Sequence, residues 1–308
     1  MRLGYAFAVA SLVTGGAFAQ CPTPVQPVHD IIADSYYDDP PVYSHIDPAR
    51  HAAYEAAVEP IETNLGGIAK MASAGDSTCT LQWLQSWAGG GAMLGKIEKE
   101  QAHYERKWVL AGLALSYAKV RAAANAQTRD KIDNWLQSLA DGVKAHSDAY
   151  KGVRNNHYYW EGLAVAATGA VTGNKADLDW GRHVFDFAMN EINDDGTLPR
   201  EMARGTRALH YHFFSAEPLV MLASILDVHS EKLDKLVAFC RTGRKDPDMV
   251  AARAGIVQLV PGAGAEDAFL IYDRQRVWVP ENPLHQVPFN KRLGGDLGLA
   301  NPLEHPVN

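Results

Sequence analysis

The feature that most constrains the fold is a helical spacing of apolar residues that recurs along most of the chain. In RDKIDNWLQSLADGVKAH, residues 129–146, the apolar side chains follow one another at intervals of three or four residues. This spacing places them on one face of an α-helix. Short turns such as GDST, TGNK and NDDGTLP separate this segment from others like it. The pattern predicts an all-α chain of roughly ten helices joined by short turns.

Two architectures pack that many helical hairpins: an open solenoid and a closed α/α toroid. A solenoid would show a fixed repeat period, and the sequence has none. We therefore expect an α/α toroid, complete or incomplete, with a central cleft. FLIYD and VWVP, near the end of the chain, are the candidates for one or two short strands.

The first 19 residues have the features of a secretory signal peptide. A basic start and an apolar stretch lead to a small-residue site, which predicts cleavage after Ala19. A lipoprotein anchor at Cys21 is the alternative, but Gln20 stands where a lipobox has Gly or Ala. No later segment has about 18 uninterrupted apolar residues, so no membrane span is predicted. We expect residues 20–308 to form a single domain, located in the periplasm or secreted.

Export would place the three cysteines in an oxidising compartment. Their odd number leaves one free thiol or an intermolecular bridge. We expect a Cys21–Cys79 disulfide that ties the new N-terminus to the first helical hairpin. Cys240 lies at an apolar position of a predicted helix, which favours a buried free thiol.

The net charge of −7 becomes −8 when the signal peptide and its single arginine are removed. This charge argues against broad binding of nucleic acid or an anionic membrane, which would require a basic face. An acidic substrate remains compatible with this charge, provided that cations cluster locally.

Three polar and aromatic clusters interrupt the helical pattern. The first is RNNHYYW, residues 154–160, at the start of a predicted helix. Asparagine caps and a ring packed in the core would explain one asparagine and Trp160, but they do not explain Asn156 and His157 together. These two residues are therefore candidates for a site.

The second cluster is REMARGTRALHYHFF, residues 200–214. If this segment is helical, Arg204, Arg207 and Tyr211 share a face. Surface ion pairs with nearby carboxylates are the alternative. His210 and His212 could suggest a metal site, but no third ligand at metal spacing accompanies them, and no metal is predicted.

The third cluster, PFNKRLGGDLG at residues 288–298, adds Lys291 and Arg292 beside a glycine turn. A further group of tyrosines, Tyr36, Tyr37 and Tyr43, lies in an irregular N-terminal stretch. Residues 34–46 are either a surface arm or a lid over the cleft, where tyrosines would stack on sugar rings.

An amide, an imidazole, arginines and a tyrosine suit proton abstraction next to a carboxylate. In a uronic acid the C5 proton is barely acidic, because the ionised carboxylate resists further negative charge. Donors must neutralise that carboxylate and stabilise the enolate-like state. A base can then remove the C5 proton, and the bond at C4 breaks by β-elimination. A nearby arginine would favour the tyrosine phenolate and lower its pKa from about 10.

The two central clusters resemble motifs of the alginate lyases of the poly(mannuronate) lyase type, polysaccharide lyase family 5. Members of that family carry an NNHxYW motif and a later RxxRALxYH segment. CTLQWLQSWA and FNKRLGGD are similar too, so the resemblance runs from about residue 79 to residue 298. The N-terminal stretch YYDDPPVYSH resembles the broad-specificity polyuronate lyases of the same family.

The resemblance implies an α/α toroid outside the cytoplasm, an anionic polysaccharide substrate and no cofactor. It implies that Asn156 and His157 neutralise the substrate carboxylate, that Arg204 completes this neutralisation, and that Tyr211 is base and acid. The histidine acts as base in some members. The expected substrate-binding residues are Tyr37, Tyr43, Tyr104, Lys107, Trp160, Arg207 and Arg292.

The predicted function is β-elimination of β-1,4-linked polyuronates, preferably polymannuronate, by a monomer. A broader polyuronate lyase that also acts on glucuronan or hyaluronan is the nearest alternative. A glycoside hydrolase would need two opposed carboxylates, with Glu161, Asp186 and Glu201 as candidates. A non-catalytic polyuronate-binding protein is the third possibility.

Overall fold

A computed structural model describes residues 20–40, 42–277 and 288–306. The predicted signal peptide, residues 1–19, lies outside these residues. The helices are α1 (Pro48–Ser73), α2 (Ser77–Gly89), α3 (Glu100–Val120), α4 (Ala126–Ala149), α5 (Asn156–Thr172), α6 (Lys175–Glu191), α7 (Pro199–Met202), α8 (Ala208–Leu226), α9 (Glu231–Lys245), α10 (Pro247–Ala254) and α11 (Phe269–Arg274). Four short 3-10 turns and two short strands, β1 (Phe289–Asn290) and β2 (Gly295–Asp296), complete the description.

The helices form two layers. α1, α3, α5 and α8 pack side by side as an inner layer, while α4, α6 and α9 pack on the outer side of their neighbours. The inner helices α3, α5 and α8 are buried around most of their circumference, and the outer helices bury one face only. In α4 the buried face includes Ile132, Trp135, Leu136, Leu139 and Val143, which confirms the predicted helix face.

The strand prediction for FLIYD was wrong. These residues lie in the helix α11, which packs on α8 and buries Phe269, Ile271 and Tyr272. Of VWVP, residues 278–280 lie outside the described residues. The two strands that do form flank the predicted glycine turn, where Gly294 and Gly295 have φ angles of +86° and +108°. Glycine is favoured there because other residues rarely adopt these angles.

The N-terminal segment is fixed to the helical body by the predicted disulfide. Cys21 and Cys79 are bonded, and Cys240 is a buried free thiol. Two tryptophans of α2 hold the same segment: Trp83 and Trp87 donate indole hydrogen bonds to backbone carbonyls at residues 22 and 25. The segment therefore runs along α2 before it turns toward the cleft.

Within residues 20–40, 42–277 and 288–306, no helix is both long enough and apolar enough to cross a membrane.

Candidate active site

A cleft of about 470 Å³ opens between the N-terminal arm and the inner helices. The side chains that line it come from every part of the chain: Asp34, Ser35, Tyr36, Tyr37, Tyr43, Tyr54, Glu100, Gln101, Tyr104, Trp108, Tyr150, Asn155, His157, Arg204, Arg207, His210, Tyr211, Phe214 and Arg292. The structure thus brings eight of the predicted site residues into one cavity: Tyr37, Tyr43, Tyr104, His157, Arg204, Arg207, Tyr211 and Arg292.

Two guanidinium groups converge on the ring of Tyr211. The Cζ atom of Arg204 lies 4.4 Å from the ring centroid, and that of Arg207 lies 5.0 Å from it. A continuous helix does not produce this arrangement, since α8 begins only at Ala208 and a 3-10 turn, Gly205–Arg207, precedes it. The expected shared face therefore arises from a turn that folds both arginines against the first turns of α8.

The acidity of Tyr211 differs from the sequence expectation. Burial raises the pKa of its phenol to about 12, although Arg207 and Arg204 each lower it. The tyrosine is only 8% exposed, so loss of hydration disfavours the phenolate more than the two cations favour it. The expectation that neighbouring arginines bring this pKa below its usual value was therefore wrong for the unliganded chain.

His157 lines the same cleft from the start of α5. Its ring stacks on that of Tyr104, with centroids 3.6 Å apart and planes 12° apart. Burial holds the pKa of His157 well below 6.5, and the nearby charges of Lys107 and Arg204 lower it further. The imidazole is therefore neutral at pH 7, and its buried Nδ1 has no hydrogen-bond partner among the described residues.

The two adjacent asparagines have different positions. Asn155 lines the cleft and caps α5, accepting a hydrogen bond from the backbone N–H of His157 at 3.1 Å. Asn156 is fully buried and is not part of the cleft lining. Its backbone N–H and side-chain Nδ2 both donate to Oε1 of Glu201, at 3.1 and 3.0 Å. The capping interpretation thus explains Asn155 and leaves the buried Asn156 amide as the unusual feature.

The N-terminal arm closes one side of the cleft through Arg207. This arginine donates to the hydroxyl of Tyr37 at 2.9 Å and to the backbone carbonyl of Tyr43. Tyr43 has a φ angle of +53°, an uncommon conformation for a residue with a side chain. Asp39 supports it by accepting hydrogen bonds from the next two backbone N–H groups. The arm is therefore a built wall of the cleft and not a loose surface segment.

Arg292 reaches the cleft from the turn between β1 and β2. Its guanidinium lies 4.2 Å from the centroid of the Trp108 ring and 3.2 Å from a carboxylate oxygen of Glu62. Together with Arg204 and Arg207, it gives the cleft three guanidinium groups in an acidic protein. The local cluster of cations that an acidic substrate requires is thus present.

Lys107 and Trp160, two predicted substrate contacts, lie behind the cleft wall. Lys107 is 1% exposed and pairs with Glu161 at 3.1 Å, while its Nζ lies 4.4 Å from the Tyr104 ring centroid. Trp160 is fully buried and packs against Phe214. Neither side chain lines the cleft, so both predictions of a substrate contact are corrected: the two residues support the cleft wall from behind. The reason is that α3 and α5 are inner helices, which bury residues on nearly every side.

Several lining residues carried no sequence signal of a site. Trp108 and Phe214 fall inside apolar helices, where a core position is the natural interpretation. Tyr54 likewise stands in a helical segment with no motif around it. Tyr36 and His210 did have a signal: Tyr36 is part of the tyrosine-rich arm, and His210 lies in the cluster at residues 200–214, where it was considered only as a possible metal ligand. Their common location is a consequence of how the inner helices pack.

The carboxylates considered for a hydrolase do not face the cleft. Glu161 pairs with the buried Lys107, Glu201 is 1% exposed and bonds to Asn156, and Asp186 is exposed on the outer helix α6. His212 is also accounted for, since its two ring nitrogens bond to the backbone at Leu198 and Ala208. Over the described parts of the chain, no group of three or more His, Cys, Asp or Glu side chains could hold a metal ion.

Comparison with known proteins decides the family. The sequence profile described as alginate lyase matches residues 32–244. The chain belongs to the alginate lyase family. A polysaccharide lyase of Stenotrophomonas maltophilia is 38% identical, over 94% of this chain and 92% of its own. An alginate lyase of Pseudomonas putida is 29% identical, over 96% of this chain and 89% of its own. The chain is thus a polysaccharide lyase of this family.

Solved structures confirm the predicted fold class. The crystal structure of alginate lyase A1-III from Sphingomonas species A1 aligns with a TM-score of 0.72 at 22% identity, over 94% of this chain and 87% of that one. A tyrosine-to-phenylalanine variant of A1-III, complexed with a tetrasaccharide, aligns with a TM-score of 0.76 over 93% and 86%. The two-layered helical arrangement is therefore the α/α toroid expected from the sequence.

Proposed function

We propose that this family member cleaves β-1,4-linked polyuronates by β-elimination at the cleft that Tyr211 and His157 line, with polymannuronate as the preferred polymer. The observation that carries the proposal is the convergence of Arg204 and Arg207 on Tyr211, in the same cleft as the neutral imidazole of His157. Guanidinium donors can neutralise a uronate carboxylate, and a phenol among them can exchange a proton with the sugar.

In this mechanism the bound carboxylate is neutralised by Arg204 and His157. The phenolate of Tyr211 removes the C5 proton, the C4–O bond breaks, and a C4–C5 double bond forms. The tyrosine then returns the proton to the leaving oxygen, which requires both atoms to lie on one face of the sugar ring. Asn156 is proposed to contribute the second hydrogen of its amide. Because that amide is buried without substrate, this role requires it to become accessible on binding.

Around this centre, we propose that Tyr37, Tyr43 and Tyr104 stack on neighbouring sugar units, and that Arg207 and Arg292 bind their carboxylates. Aromatic rings contact the apolar faces of sugars while their hydroxyls hydrogen-bond. We propose that residues 34–46 cover the bound polymer as a lid, which requires the hydrogen bonds of Arg207 to Tyr37 and Tyr43 to open when substrate enters. The aromatic arm also favours the alternative of a broader specificity that includes glucuronan or hyaluronan, because stacking does not distinguish one uronate from another.

We further propose that the protein acts as a monomer in the periplasm or outside the cell and needs no cofactor. The disulfide between Cys21 and Cys79 supports an oxidising compartment. Full activity in the presence of a chelator is the expected outcome for a cofactor-free lyase.

The test is ultraviolet absorbance of unsaturated uronate ends, with polymannuronate, polyguluronate, glucuronan and hyaluronan side by side. A rise with polymannuronate alone supports the preferred substrate, and a rise with several polymers supports the broader one. No rise with any of them, together with new reducing ends, would show a hydrolase and overturn the proposal. Tyr211→Phe should lower turnover by at least about a hundredfold while the polymer still binds.

A further inference from the structure

A buried carboxylate joins two of the proposed site residues. Glu201, on the short helix α7, is 1% exposed. Its Oε1 accepts hydrogen bonds from both the backbone N–H and the side-chain Nδ2 of Asn156. Its Oε2 lies 3.5 Å from Nε of Arg204. One side chain thus contacts the start of α5 and the turn before α8, the two elements that carry the proposed carboxylate-binding groups.

The polar contacts of Glu201 can orient the side chains that it touches, Asn156 and Arg204. The backbone N–H of Asn156 belongs to the first turn of α5, where helix donors lack partners within the helix. By accepting it together with one hydrogen of Nδ2, Oε1 fixes the plane of the Asn156 amide. The other oxygen faces Arg204, whose guanidinium lies 4.4 Å from the Tyr211 ring centroid.

A carboxylate in such a position is costly without partners, because burial disfavours its charge. Burial raises the pKa of Glu201, while Arg204 and the Asn156 donors lower it. An apolar residue would fill the same volume at a lower desolvation cost. The presence of an acid at this position therefore points to a role for its contacts with Asn156 and Arg204.

We propose that Glu201 is a positioning residue that sets the orientation of Asn156 and Arg204 for binding the substrate carboxylate. It rests on the proposed function, since those two residues bind substrate only if the cleft takes a uronate. Glu201 itself does not line the cleft, so it would act on the substrate only through Asn156 and Arg204.

The experiment compares Glu201→Gln with Glu191→Gln as the matched control. Glu191 also accepts from an arginine, at 3.0 Å, but this pair with Arg200 is a surface pair outside the cleft. Two quantities are measured for each variant: Kd for an oligomannuronate by calorimetry, and kcat/KM on polymannuronate. Thermal unfolding shows whether each variant remains folded.

Glu201→Gln keeps an acceptor for Asn156 but removes the charge that faces Arg204. We expect kcat/KM to fall by about 10- to 100-fold, as for misplaced groups elsewhere, with Kd weakened and the fold retained. The control should match the wild type. A cycle with Arg204→Ala distinguishes positioning from general damage: if Glu201 acts through Arg204, Glu201→Gln should cost little more in that background.

Independent, additive losses in the cycle, or wild-type Kd and kcat/KM in Glu201→Gln, would overturn the positioning role. If the substitution unfolds the chain, Glu201→Asp replaces it, since the shorter carboxylate keeps the charge and moves it away from Arg204; an unchanged Kd there is again a refutation. A wild type that binds the oligomer but releases no unsaturated ends refutes the proposed chemistry and leaves the Kd cycle to judge Glu201. A wild type that does neither refutes both.

Discussion

Removal of the disulfide is the perturbation whose effect can be worked out most directly. The Cys21–Cys79 bond closes a loop with a sequence separation of 58 residues. For a loop of that length, the chain-entropy relation gives a stabilisation of about 4 kcal/mol, because the bond restricts the unfolded chain. Cys21→Ser should therefore lower the free energy of unfolding by about 4 kcal/mol. Cys21 is the better site for the change, since Cys79 is 6% exposed in the core.

The same change should also reach the cleft. The segment that the disulfide anchors continues into the arm whose Tyr37 and Tyr43 bond to Arg207. Once released from Cys79, the arm is held less firmly, so we expect a higher KM. Because the hydrogen bonds of Trp83 and Trp87 remain, we expect kcat to be nearly unchanged.

Urea denaturation with and without reductant gives the stability change, and initial rates on polymannuronate give KM. Reductant should weaken the wild type to the level of Cys21→Ser and leave the variant unchanged. The buried Cys240 is common to both proteins and cancels in the comparison. A difference of less than about 1 kcal/mol would show that the arm and α2 stay associated in the unfolded chain, which contradicts the chain-entropy argument.

Three further outcomes are expected. Because the pKa of Tyr211 is about 12, kcat/KM should rise with pH from 7 to 10; a flat profile would instead identify His157, which is neutral throughout that range, as the base. Lys107→Met should cost about 1.5–3 kcal/mol of unfolding free energy, measured in urea, because the buried Glu161 loses a charged hydrogen bond but keeps Arg154 and Ser147 as partners; recovery in Lys107→Met with Glu161→Gln is the check. Burial lowers the pKa of His212 to about 4 from an unfolded value of about 6.5, so the unfolded chain binds more protons between these values. The contribution of His212 to stability should then fall by about 3 kcal/mol as pH drops from 6.5 to 4. His212→Gln should make that part of the urea-midpoint profile less steep, while the lowered pKa values of His103, His157 and His210 leave the rest of the slope.

Local chemistry was readable in the sequence wherever it depends on neighbours along the chain. The apolar spacing of α4, the cap at Asn155 and the glycine turn at Gly294 each follow from a few consecutive residues. The clusters at residues 154–160 and 200–214 could also be identified as site material, because polar and aromatic side chains there interrupt an apolar helical pattern.

Other features could not be read locally. FLIYD looked like a strand, yet it is a helix because the core on one side of it is helical. Lys107 and Trp160 looked like substrate contacts, yet α3 and α5 are inner helices that bury both. Trp108 had no signal of a site and lines the cleft, since Arg292 and α3 meet there.

The sequence by itself determined the helical class and the residue types of the site, since spacing and motif are properties of the chain. It predicted the Cys21–Cys79 bond, but the structure decided it. Only the tertiary structure decided which of those residues face the cleft and how acidic they are. The pKa of Tyr211 illustrates the reason: its two arginines are visible in the sequence, but the burial that outweighs them comes from the arm and α8 packed around it. Burial is a property of the whole packed molecule, so local sequence does not contain it.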